Sequence, residues 1–158
     1  MPIDLNPDFE DLIRSLTAHG VEFLVVGAHA LAFHGIARYA GDLDLWMRRT
    51  RENADRLRLA LAEFGVPITR DDAEQMTLER KFLRFGHEPR RVEILNFLDG
   101  CEYDSAAHRA EMAPLADMNV PILSLPDYVA TKRASGRPKE ASDLDLLREM
   151  IGRLPGDE

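Results

Sequence analysis

The stretch Val21-Glu22-Phe23-Leu24-Val25-Val26 runs straight into Gly27-Ala28, and thirteen residues separate Ala28 from Asp42-Leu43-Asp44-Leu45-Trp46. This pairing constrains the fold more than any other feature. A short apolar run before a glycine reads as a buried strand. It is followed by a short Ala-rich helix, predicted over 28–34. Asp42 to Met47 reads as a second strand, in which alternation puts Asp42 and Asp44 on one face and Leu43 and Leu45 on the other. Two carboxylates about 7 Å apart along a strand can converge on one hard cation such as Mg²⁺. A half-exposed strand with polar residues outward would show the same alternation. The context favours the site: a glycine at a strand end lets the backbone approach a ligand, and the amides opening the next helix can receive phosphate oxygens.

The rest of the chain fits an α/β (α+β) domain, a small mixed sheet flanked by helices. Asn6 and Pro7 open a helix that buries Phe9, Leu12, Ile13 and Leu16 and ends at Gly20. Thr50 caps another, carrying Ala54, Leu57, Leu61 and Phe64 to Gly65. Leu78–Phe85 and Arg91–Leu98 are predicted as strands of a hairpin turning through Gly86-His87-Glu88-Pro89. A short helix is expected near Ser105–Glu111 and an extended piece at Pro121–Leu123. Ser124 caps a helix over 126–135, and a last helix from Pro138 buries Leu144, Leu147 and Ile151. The 158 residues suit one domain over 1–158, with its core at 21–98 and C-terminal helices over 124–152.

Glu93 interrupts the apolar strand Val92 to Leu95. An unpaired carboxylate there is costly, so it faces either a metal or a cation such as Arg84 or Arg91. The net charge of −8 opposes a nucleic-acid-coated protein, while basic clusters near 48–51, 80–81, 90–91 and 132–139 leave room for a polyphosphate ligand. A single cysteine, Cys101, forms no internal disulfide and fits a reducing cytoplasm. The opening residues lack a signal-peptide pattern, and no apolar run is long enough to span a membrane. His29 and His34 miss the i,i+4 spacing of a helical metal pair, and Cys101 has no partner arrangement for a catalytic thiol. Trp46 reads as core.

The segment from Val21 to Gly35, followed by Arg38 and Asp42-Leu43-Asp44-Leu45-Trp46, resembles the signature of minimal nucleotidyltransferases, in particular the bacterial group related to AbiEii-type toxins. A second segment, from Pro121 through Lys132-Arg133-Ala134-Ser135-Gly136-Arg137-Pro138-Lys139-Glu140 to Asp143-Leu144, resembles that group as well. The resemblance implies a nucleotidyltransferase-like fold and an enzyme that moves an NMP from an NTP to an acceptor hydroxyl, releasing pyrophosphate. It implies Gly27 and Ala28 at the triphosphate, Asp42 and Asp44 on Mg²⁺ or Mn²⁺, Glu93 as the third carboxylate of the metal site, Lys132 near the nucleotide phosphates and Asp143 on the following helix. The implied partners are the NTP, an acceptor (small molecule, protein hydroxyl or RNA end) and, for a toxin, an antitoxin protein. Ala28 stands where Gly or Ser is usual, Glu140 where Asp is common, and Glu93 is longer than Asp. Those departures fit an alternative, a catalytically inactive fold serving as a nucleotide-binding or protein-interaction module.

Overall fold

Asn6 accepts a hydrogen bond from the Phe9 N–H at 2.9 Å, and Pro7 opens α1 (Pro7–Ala18), whose buried residues are Phe9, Leu12, Ile13 and Leu16. The computed structural model describes residues 5–36 and 41–157; the opening residues and Arg38 lie outside them. β1 (Phe23–Val26) passes directly into α2 (Gly27–Phe33), and β2 (Leu43–Met47) leads through the Thr50 cap to α3 (Arg51–Phe64), which ends on left-handed Gly65. Then come α4 (Arg70–Gln75), β3 (Phe82–Phe85), β4 (Val92–Leu95), α5 (Tyr103–Arg109), β5 (Glu111–Leu115), β6 (Met118–Ile122), α6 (Leu125–Ser135) and α7 (Pro138–Ile151).

The strands form one sheet in the order β3-β4-β2-β1-β6-β5. β1 is antiparallel to β2 and parallel to β6, β2 is parallel to β4, and β3-β4 and β5-β6 are antiparallel hairpins. This is the mixed sheet expected from the element order. The core is continuous and includes the β1 and β2 side chains, with Trp46 at 2% exposure. Asn53 of α3 accepts from the Glu22 N–H and donates to the Glu22 and Arg48 carbonyls, tying α3 to the far ends of β1 and β2. α1 packs on α3, and α6 on α7. Among the described residues no helix is long and apolar enough to cross a membrane.

Several expectations need correction. The predicted strand 78–85 begins only at Phe82, because the Asn96 side chain ties the preceding chain into a turn: it donates to the Met76 and Leu78 carbonyls and accepts from the Lys81 N–H. The predicted strand 91–98 shortens to β4. The extended piece at 121–123 is the end of β6, which pairs with the unforeseen β5. α4 was also unforeseen. Ile151 is 41% exposed rather than buried; the chain turns at Gly152 and buries Leu154.

Candidate active site

One row of side chains crosses four strands. Val26 of β1 is opposite Asp44 of β2, Asp44 is level with Glu93 of β4, and Glu93 is opposite Arg84 of β3. Residues in register share a face, so Asp44 and Glu93 are side by side on strands about 5 Å apart. Asp42 lies just before β2 begins. Gly27, which follows Val26, has φ +68°, and a Cβ built on it would overlap Asp44 Oδ2. Glycine is required there twice over, for its backbone conformation and for the room it leaves the carboxylate.

The three acids live in different electrostatic settings. Arg91 donates two hydrogen bonds to Asp42 Oδ2, at 3.1 and 2.6 Å, while Asp42 Oδ1 is buried with no hydrogen-bond partner among the described residues. Arg84 likewise donates twice to one oxygen of Glu93, Oε2, at 3.0 and 2.7 Å. No arginine among the described residues bonds Asp44. Burial, then the charges of Glu93 and Asp42, push its carboxyl up to about 6, against weaker opposing pulls from Lys132 and Arg91.

Asp42, Asp44 and Glu93 therefore do not form a ready cage. Among the described residues no three His, Cys, Asp or Glu side chains are grouped to hold a metal ion, and Glu93 has the Arg84 partner that its sequence also allowed. Asp42 and Asp44 nevertheless fit a hard cation. An orphaned buried carboxylate oxygen and a desolvated carboxylate under like-charge repulsion are groups that a divalent ion would satisfy.

Lys132 comes from α6, capped by Ser124 and closed by left-handed Gly136. It is not the exposed lysine that its basic cluster suggests. Its side chain is 21% exposed, with Nζ 2.5 Å from Glu140 and 3.6 Å from Asp143 of α7. Burial works to lower its pKa, but the Glu140 hydrogen bond and the charges of Tyr128, Glu140 and Asp143 raise it overall. Asp143 thus sits beside Lys132.

Two adjoining cavities meet at this point and share Gly27, Asp44, Tyr128 and Lys132. One, of about 280 Å³, is polar and adds Ala28, Asp42, Lys139 and Asp143. The other, of about 320 Å³, lies over the β3–β4 edge and adds Glu93 and Arg84 with several apolar residues. All seven residues singled out from the sequence line one cavity or the other. Sequence reasoning missed Tyr128, whose signal was its place one turn before Lys132 on the same helix face. It weighed Arg84 and Arg91 only as partners of Glu93, although Arg91 holds Asp42.

The remaining candidates are structural. His34 Nε2 is 2.8 Å from the Leu123 carbonyl oxygen, and Nδ1 is 3.2 Å from Glu111. Burial, helped by Asp127, pushes the Cys101 thiol up to about 11, the wrong direction for a nucleophile.

The chain matches over residues 6–156 the family model described as nucleotidyl transferase of unknown function (DUF2204). A search of the curated proteins gives no match. Among solved structures, the chain resembles TM1012 of Thermotoga maritima, a candidate nucleotidyltransferase, at 18% identity and a TM-score of 0.54, covering 94% of this chain and 95% of that one. That likeness carries the fold. By the family match, the chain belongs to the DUF2204 nucleotidyl transferases.

Proposed function

We propose that this protein moves a nucleoside monophosphate from an NTP to an acceptor hydroxyl and releases pyrophosphate. The observation that carries the reading is the meeting of two cavities at one carboxylate, Asp44, against a glycine that leaves it room. One cavity then takes the polyphosphate and the other the acceptor. In the polar cavity, Gly27 and Ala28 border the triphosphate, and Lys132 lends a positive charge to the leaving pyrophosphate. Asp42 and Asp44 would hold Mg²⁺ or Mn²⁺, which when bound neutralises phosphate charge and polarises the phosphoryl oxygens. The acceptor oxygen forms a bond to the α-phosphorus, the bond to the bridging oxygen breaks, and pyrophosphate leaves with that electron pair. Glu93 receives the hydroxyl proton; Arg84 uses only its Oε2. Positioning and charge carry such a transfer, with no covalent protein nucleophile. The toxin-like role, with an antitoxin partner, rests on the resemblance of the Val21–Trp46 and Pro121–Leu144 segments to AbiEii-type proteins.

One observation favours a second reading. Arg91 and Arg84 already neutralise Asp42 and Glu93, as they would in an inactive nucleotide-binding module. Incubating the protein with each labelled NTP, Mg²⁺ or Mn²⁺ and a cell extract separates the two. Label on any acceptor supports the transferase; saturable NTP binding without transfer, across all four NTPs, supports the module.

A further inference from the structure

The cavity over the β3–β4 edge differs in kind from its neighbour. Its floor is a sheet face: Phe82 and Leu95 are register partners, two residues along from the Arg84–Glu93 pair and so on the same face, and Phe97 lines the cavity beside them. Phe82, on the edge strand, is 52% exposed. α6 lines the cavity with Tyr128, Thr131 and Ser135, spaced i, i+3 and i+7 on one helix face.

Most charged side chains of this cavity have an ion-pair partner, inside the cavity or beside it. Arg84 holds Glu93, Lys132 and Arg137 hold Glu140, and Asp99 is bonded by Arg80 at 3.0 Å. Only Asp44, which the polar cavity shares, lacks an arginine or lysine bond among these. A neutral ligand leaves these pairs intact. Phe82 and Phe97 each already have an arginine within cation–π reach, at 5.4 and 4.2 Å. Both rings line the cavity, and an aromatic ring favours a flat partner. A volume of about 320 Å³ suits a small molecule and not a polymer.

Glu93, to which the transferase reading gives the acceptor proton, lines this cavity and not the polar one. Resting on that reading, we infer that the β3–β4 cavity is the acceptor subsite and takes a small, uncharged alcohol bearing a planar ring. The ring lies against Phe82, Leu95 and Phe97, and the hydroxyl points toward Glu93 and Asp44. The acceptor oxygen becomes the new phosphate ester oxygen, its proton passes to Glu93, and pyrophosphate departs through the polar cavity.

The test titrates 2-phenylethanol, phenylacetate and phenethylamine into the protein by amide NMR, with and without Mg²⁺ and saturating α,β-methylene NTP, each of the four bases in turn. The expected result is saturable binding of 2-phenylethanol that shifts β3, β4 and α6 amides and persists beside the bound nucleotide. Phe82→Ala should weaken it at least about fivefold, the loss of one stacking partner, while nucleotide affinity stays unchanged. Phe82 is exposed enough for this variant to fold, and Phe97→Leu gives an independent check. Displacement of the probe by the nucleotide would overturn the inference, since the cavity would then hold the base. A tenfold preference for either charged probe, or no saturable binding of any probe beside a bound nucleotide, would also overturn it and leave the transferase reading standing. Failure of every metal–nucleotide to bind, judged from Gly27, Ala28 and Lys132 amides, would instead remove the transferase reading and the acceptor role with it.

Discussion

The Asp44 carboxylate fills the space that a side chain at position 27 would need, and Gly27 holds a left-handed backbone to leave it there. Gly27→Ala should therefore act on fold and site together. The backbone conformation alone costs an ordinary L-residue about 1–2 kcal/mol, and the overlap with Asp44 adds to it. Thermal melts should show a lower Tm, and calorimetry a weaker metal–NTP affinity in the fraction that remains folded. An unchanged melt with unchanged binding would mean that the loop moves freely away from Asp44.

Lys132 joins α6 to α7 as well as facing both cavities. Lys132→Ala takes the ammonium away from Glu140 and Asp143, whose side chains are 12% and 11% exposed, and leaves Glu140 only the more distant Arg137 at 3.4 Å. The loss of that shared cation should cost about 1–3 kcal/mol. The double variant Lys132→Met with Glu140→Gln should recover part of that loss, because it removes a charge from each side. Neither variant should recover NTP affinity if the ammonium meets the phosphates. Denaturant melts and calorimetry read the two effects separately. Recovery of both would make Lys132 a purely structural residue.

Much of this site was legible because its parts are local in sequence. A strand running into Gly27, and the alternation of Asp42 and Asp44, each declare themselves within a few residues. Register is what the sequence hides. Nothing local to Glu93 says that Asp44 is beside it or that Arg84 is opposite it, since both facts depend on strand pairing. β5 was missed because Pro114 argues against a strand; the sheet tolerates it because β5 is an edge. α4 was missed because only Ala73 of its six residues is buried, so no apolar period marks it; the Thr69–Asp72 capping box was its one signal. The burial of Lys132 was hidden because its acidic partners, Glu140 and Asp143, follow on another helix.

Glu93 and Arg84 form a pair with side chains 25% and 51% exposed, so the pair adds at most about 1 kcal/mol to stability. Glu93→Gln keeps the shape and should melt within that margin of the parent. If Glu93 takes the acceptor proton, transfer should fall by about 10²–10⁴. Arg84→Ala should keep transfer, since it frees the base instead of removing it. Equal losses in both variants would show that the intact pair matters, and not the base.

Asp44 gives the sharpest test, because one substitution is expected to help the metal-free protein and harm the loaded one. Its carboxyl is raised from 3.8 to about 6 in the folded chain, chiefly by burial and then by Glu93 and Asp42. The folded state thus binds this proton more tightly than the unfolded one. The stabilisation is full below 3.8 and is lost as pH rises through about 6. A shift of this size corresponds to a ceiling of about 3 kcal/mol, reduced by the solvent that still reaches the group. Asp44→Asn has no proton to lose. In metal-free melts at pH 4 it should be close to the parent, and from pH 6 to 8 it should become the more stable of the two. Adding Mg²⁺ and NTP at a hundredfold excess over the dissociation constant should raise the parent's stability by about 2.7 kcal/mol and the variant's by much less. A variant that is less stable than the parent at pH 8, beside a parent indifferent to metal and nucleotide, would make Asp44 a structural acid and remove the centre of the proposed site.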